Sequence, residues 1–201
     1  SVLSPLLWLV LRKKMEDNLK TFVAADIKKI QEEKRNPAYF EKDIACSFNS
    51  FKIHGQIDRI DISTDKKTFT VIDYKSGKIS GKTERVVFEG ANFQGPLYFE
   101  LAQNLSDLQG VQADKMYYAS LKDSSFKEIS YEDYLSFKDK FWSIVDYLRG
   151  LIEEGLFVIT PSKTACQYCL YGDICRKNHS ASAKRAFFSA QANKLREFRK
   201  I

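Results

Sequence analysis

Asp73 and Lys75 close the run Phe69-Thr-Val-Ile-Asp-Tyr-Lys-Ser-Gly77, where β-branched and aromatic residues lead into a Ser-Gly turn. Positions two apart on a strand share a face. Asp73 and Lys75 therefore point the same way, with the Tyr74 carbonyl between them. An acid, a carbonyl oxygen and an ammonium at one strand end make half of a metal-assisted hydrolysis site. The other half lies upstream. Gly55-Gln-Ile-Asp58-Arg-Ile-Asp61 is a second β-rich run and offers Asp58 as another hard oxygen ligand. Hard cations such as Mg²⁺ or Mn²⁺ take carboxylates and water. An aspartate between Ile57 and Ile60 is costly to bury without a partner. It is either half of a buried ion pair, with Arg59 or a neighbour, or a metal ligand. Asp73 and Lys75 downstream favour the ligand. Asp61 reads as a structural acid that pairs an arginine or closes the strand end.

Four pieces follow one another along the chain: Gly-x-x-Asp58-Arg-x-Asp, Ile72-Asp73-Tyr74-Lys75-Ser-Gly, Gln94-x-x-x-Tyr98 and Cys166-x-x-Cys169-x5-Cys175. Over roughly residues 40–176 this series resembles the PD-(D/E)XK nuclease superfamily, most nearly its RecB/AddB-type exonuclease branch. It is also similar to the CRISPR-adaptation iron–sulfur nucleases. The resemblance implies a restriction-endonuclease-like α/β core, a central mixed sheet flanked by helices. It implies a Mg²⁺- or Mn²⁺-dependent DNA nuclease, an exonuclease in repair and recombination. Asp58, Asp73 and the Tyr74 carbonyl are then the metal ligands. Lys75 holds the attacking water, stabilises the pentavalent phosphorane, or acts as base if its pKa is lowered. Glu41, at the start of the preceding strand, fits the acid that the family often adds to the metal shell. Gln94 and Tyr98, four apart on one helix face, position the DNA backbone. The branch is helicase-associated, and no complete Gly-x4-Gly-Lys-Ser/Thr phosphate loop of the helicase type stands here. A motor is therefore expected elsewhere in a longer chain or in a partner. The alternative is a non-catalytic DNA-binding or scaffold module of the same ancestry. The intact Asp58, Asp73 and Lys75 set argues against it.

Cys166, Cys169 and Cys175 are thiolates at a spacing suited to a soft metal or an iron–sulfur cluster. The resemblance implies a [4Fe–4S] cluster whose fourth cysteine comes from well upstream. The first 45 residues contain no cysteine, and Cys46 reads as a core residue of the first strand. A fourth ligand is thus expected in a missing upstream part, and an intact cluster is not expected within these residues. Zinc on three cysteines and a histidine is the alternative. His54 and His179 read as ordinary strand and loop histidines.

The elements that must hold these residues read as α-β-β-β-α-β-α. Helical spacing predicts a helix over residues 5–35, its polar face rich in lysine. Strands are predicted over 39–48, 51–62 and 68–75 as a meander, with a polar loop over 76–90. A helix beginning at Asn92 or Gln94 and running to Leu105 follows, then a strand over 116–121. The last core element is an amphipathic helix over 130–154, burying Tyr134, Phe137, Phe141, Ile144, Val145, Leu148 and Ile152. The nuclease domain is expected to span 1–178, with its cysteine segment at 160–176, and 179–201 to form a basic helical tail. A length of 201 residues and an apolar fraction of 44% suit one folded core. The net charge of +6 fits a polyanionic partner. The apolar stretch Pro5–Leu11 is too short to span a bilayer, so no membrane role is expected. Without an export signal, the expected compartment is the cytoplasm.

Overall fold

Ser4 and Pro5 open the first helix. The Ser4 hydroxyl accepts from the Leu7 amide at 3.4 Å, and Pro5 occupies the first helical position, where its missing N–H costs nothing. The computed structural model describes residues 4–48, 51–77, 79, 93–156, 165–167, 169–172, 174–175, 179–190 and 193. Helix α1 runs Pro5–Glu32, shorter at its end than the predicted 5–35. Lys34 turns the chain through a positive φ of 51°, and strand β1 begins at once at Arg35.

Strands β1 (Arg35–Phe48), β2 (Phe51–Ser63) and β3 (Thr68–Lys75) form the predicted antiparallel meander. β1 begins four residues before the predicted start and includes Pro37. A proline is tolerated there because β1 is the edge strand and lends a ladder on one side only. Helix α2 (Gln94–Gln103) then returns the chain so that β4 (Gln112–Ser120) pairs with β3 in parallel. β5 (Phe126–Ser130) is an antiparallel edge that the sequence reading does not contain. The sheet order is β1-β2-β3-β4-β5. Most of the predicted loop over 76–90 lies outside the described residues.

The chain divides into two compact units, residues 1–87 with 91–138 and residues 88–90 with 139–201. In the first, α1 packs on one face of the sheet. Phe22 stacks on Phe126 at 5.6 Å and meets Tyr74 edge-on at 5.8 Å, beside Ile72, Tyr117 and Ala119. α2 takes the other face. A Cβ on Gly95 would stand 3.2 Å from Ile129 and 3.3 Å from the Tyr118 hydroxyl, so a glycine lets the first turn of α2 sit close to β4 and β5. Glu100 of α2 is buried and ties the start of helix α3 (Tyr131–Glu153): the Tyr134 hydroxyl donates to it at 2.6 Å, and the Lys138 ammonium lies 2.6 Å away.

In the second unit the far end of α3 departs from the predicted apolar face. Leu151 is buried and Ile152 is 62% exposed. Seven helical residues bring Leu151 within about 20° of Ile144, whereas Ile152 is about 80° away. Helix α4 (Ser180–Phe188) follows, its first turn capped by His179, whose Nδ1 accepts from the Ser182 amide at 3.3 Å. Among the described residues no helix is long and apolar enough to cross a membrane.

Candidate active site

β2 pairs with β3 so that Arg59 faces Ile72. The next residue outward on each strand is therefore Asp58 or Asp73, opposite each other on the face that α2 covers. Directly opposed carboxylates repel, so a site of this kind needs cations. The structure supplies one. The Lys75 ammonium stands 2.6 Å from Asp73 Oδ2. Asp58 leans on the backbone instead, accepting the Tyr74 amide at 2.7 Å. That bond ties the second acid to the peptide unit beside the Tyr74 carbonyl.

α2 adds the remaining contacts. Gln94 sits in its first turn. Its amide nitrogen donates to Asp73 Oδ1 at 2.7 Å and to the Tyr98 hydroxyl at 2.8 Å, and its carbonyl accepts from Lys75 at 2.8 Å. One side chain thus spans both ends of the Asp73–Lys75 pair and the phenol one turn on. Asp73 is 2% exposed, and burial raises its pKa, with the Asp58 charge adding to the rise and Lys75 opposing it. Burial raises Tyr98 as well, and the charges of Asp73, Asp58 and Glu41 push the same way. Its phenol therefore stays a neutral donor.

Glu41 sits on β1 between the Phe40–Arg59 and Lys42–Ile57 pairs, in line with Asp58. It is exposed and its φ is +46°, a left-handed conformation that few side chains adopt. Its charge reaches Tyr98, which places it on the rim of the cluster. His54 lies apart, exposed, 3.9 Å from Asp43.

Behind the acids, on the α1 face, runs a second set of charges. Arg59 does not pair with Asp58. Its guanidinium donates to Asp26 of α1 at 2.6 and 2.9 Å, to the Tyr74 hydroxyl at 2.7 Å and to Asp61 at 3.1 Å. Asp61, fully buried, also accepts from Arg35 at 2.6 Å, the structural role read for it. The sequence reading missed Asp26 and Arg35. Asp26 had a signal. It falls one turn after Phe22 on the buried face, and an acid on an apolar face demands a cation.

The chain belongs to the PD-(D/E)XK nuclease superfamily, whose family model matches residues 5–176. Nucleases of this superfamily use divalent metals such as Mg²⁺, and the residues present fit one. Asp73 Oδ2 is buried and accepts no well-aligned hydrogen bond among the described residues, where the Lys75 ammonium is the cation beside it. No three His, Cys, Asp or Glu side chains among the described residues gather into a metal-holding group. Mg²⁺ commonly takes one or two carboxylates, its own waters and substrate phosphate.

No disulfide joins the cysteines among the described residues. Cys169 is exposed, and a short turn follows it, with the Gly172 amide on its carbonyl at 3.2 Å and the Cys175 amide on that of Tyr171 at 2.8 Å. Cys46 lies half-buried on β1, where burial and then Glu100 raise its pKa.

Gln94→Ala is expected to lower cleavage about 10–100-fold, the usual loss for a group that orients catalytic side chains. Unfolding free energy should change by less than about 1 kcal/mol, the net worth of an ordinary hydrogen bond. Tyr98→Phe should show the same imbalance more weakly. Steady-state rates and urea unfolding of both variants check this. Equal losses in rate and fold would make the pair structural.

Proposed function

We propose that this chain is a Mg²⁺- or Mn²⁺-dependent deoxyribonuclease of the RecB/AddB type, trimming DNA ends as an exonuclease beside a helicase subunit or domain. The observation that carries the reading is the opposed Asp58–Asp73 pair, with Lys75 and Gln94 locked onto it. Two neighbouring acids, one paired with an ammonium and the other answered only by a backbone amide among the described residues, are a poor solution for stability and a good one for holding a cation.

In this reading Asp58, Asp73 and the Tyr74 carbonyl hold the ion. When bound, a divalent cation neutralises charge on the phosphodiester and makes water a stronger nucleophile. The chain does the rest. Lys75 places its ammonium where charge grows on the phosphorus oxygens as water adds and the P–O bond to the leaving group breaks. Gln94 fixes Lys75 against Asp73. Tyr98 offers its proton to a backbone oxygen of the strand, and Glu41 extends the acidic rim. The three C-terminal cysteines belong to a cluster in a longer chain. Such a chain, prepared without oxygen and lacking both iron and visible cluster absorption, would overturn that part alone.

The test is cleavage of end-labelled linear DNA beside closed circular DNA, with Mg²⁺ and with EDTA. Loss of linear DNA only, stopped by EDTA, is expected. Cleavage that survives chelation overturns the metal role. Binding without cleavage in any divalent metal favours the scaffold alternative. Affinity should fall steeply with salt, because lysine and arginine displace ions condensed on phosphates. Affinity that is flat in salt counts against nucleic acid altogether.

A further inference from the structure

A cavity of about 370 Å³ lies between α1 and the ends of β3 and β4, in the first unit. That is within the range of about 300–1,000 Å³ typical of small-ligand pockets. One wall is a stripe of α1. Leu11, Met15 and Leu19 recur every four residues and so stack along one side of the helix. Leu121, just past β4, is the apolar wall opposite. Lys14 and Lys122 carry the charge of the lining. Arg12, Lys13, Lys28 and Lys29 on the same helix each meet an acid one turn on. Neither Lys14 nor Lys122 has a carboxylate partner among the described residues. The lining is thus mainly apolar and carries two ammonium groups, neither paired with an acid among the described residues.

Its position matters as much as its lining. Ser76, which lines it, directly follows Lys75. The Leu121 amide donates to the Lys75 carbonyl at 2.9 Å. The cavity therefore opens at the carboxyl ends of the parallel pair β3–β4, where open α/β sheets bind ligands. An aliphatic slot flanked by two ammonium groups complements one repeating unit of a polyanion, an unstacked base with a phosphate on either side.

We propose that this cavity receives one unstacked base of single-stranded DNA, with Lys14 and Lys122 on the adjoining phosphates, and so sets the strand as it reaches Lys75. The inference rests on the nuclease reading and deepens it by naming the strand state. In a duplex the base is stacked and paired, and extruding it costs energy that a free end does not spend. The cavity therefore favours single strands over duplex.

The test is fluorescence anisotropy on labelled oligothymidylate and on a duplex of equal length, in EDTA so that nothing is cut. Met15→Glu puts a charge into the slot, and Met15 is 58% exposed, so the fold should tolerate it. Its dissociation constant for the single strand should rise about tenfold, as when one base loses its stacking surface. For the duplex the change should be under about twofold. Lys14→Ala with Lys122→Ala leaves the slot intact. It should flatten the slope of log K against log salt by about 1.4 on the single strand, at about 0.7 for each phosphate that no longer meets an ammonium. Equal weakening on both DNAs, or an unchanged slope, overturns the proposal. Wild type that cuts DNA while both variants bind like it would remove the base slot and leave the nuclease standing. Wild type that neither binds nor cuts would remove both.

Discussion

Asp58→Asn is expected to cost about a thousandfold or more in Mg²⁺-dependent cleavage and, in the same protein, to raise the metal-free melting temperature by about 2 °C. In the proposed role the first effect follows from losing one of the two carboxylates on the ion, a loss of several kcal/mol at about 1.4 kcal/mol per tenfold. The second follows from the geometry. Asp58 and Asp73 are the next residues beyond the Arg59–Ile72 pair of β2 and β3, near enough for the Asp58 charge to raise Asp73, and opposed like charges cost about 0.2–1 kcal/mol. For a chain of this size 1 kcal/mol is worth about 2–4 °C. Asparagine keeps the oxygen that accepts the Tyr74 amide at 2.7 Å, so the local fold survives.

The sign of the pH dependence is fixed by Asp73. Its folded pKa is raised by burial and by Asp58. An acid raised in the folded state binds its proton more tightly there than when unfolded. Its ionisation therefore weakens the fold at neutral pH. The penalty disappears as pH falls below the ordinary carboxylate range, where both states are protonated. The gain from Asp58→Asn should be full at neutral pH and vanish in acid. Mg²⁺ should raise the melting temperature of wild type, since it binds the folded state, and should not raise that of Asp58→Asn. Thermal melts at several pH values, with and without Mg²⁺, decide it. A gain independent of pH, or a variant that still cuts, would refute the paired-acid account.

The parts of this site that were legible share one property: each was encoded within a short stretch. Asp73 and Lys75 declare a common face by their spacing, Gln94 and Tyr98 by theirs, and the structure brings all four together with Asp58. The strand ends at Lys75 and Phe48 were legible because turns and a charge change mark them. What was not legible lay between distant stretches. Arg59 is 33 residues from the Asp26 that holds it, and the sequence offered Asp58 as a nearer partner. Nothing local separates a bond to the next residue from a bond to a helix on the other side of the sheet. The parallel pairing of β3 with β4 is likewise a product of the α2 return. β5 is five residues long and half exposed, too short for its alternation to stand out. The left-handed turn at Glu41 is a local strain that no residue type announces, because glutamate is not a residue chosen for positive φ.

The layer behind the site yields the last expectation. Asp61→Ala should destabilise the protein by about 3–5 kcal/mol, the usual cost of stripping one partner from a buried ion pair. Asp61 is fully buried between two guanidiniums that belong to residues only 5% and 3% exposed, Arg35 and Arg59. Arg35 donates to it at 2.6 Å, and Arg59 Nε lies 2.8 Å away. Without it, two buried cations share Asp26 and Glu33, neither placed to serve both. The damage should reach the acids on the far face. Arg59 also holds the Tyr74 hydroxyl at 2.7 Å, and the Tyr74 amide holds Asp58. A slack Arg59 loosens the peptide on which Asp58 rests. Urea unfolding should therefore show the large loss. Cleavage measured at a temperature where the variant is still folded should fall too, by less than in Asp58→Asn, because no ligand has been removed. Replacing the four buried charges with Asp26→Leu, Asp61→Leu, Arg35→Met and Arg59→Met should recover much of the stability, since apolar groups of similar volume need no counter-charge. It should not recover cleavage, because methionine cannot hold the Tyr74 hydroxyl. Stability and cleavage returning together would show that the charges serve the fold alone.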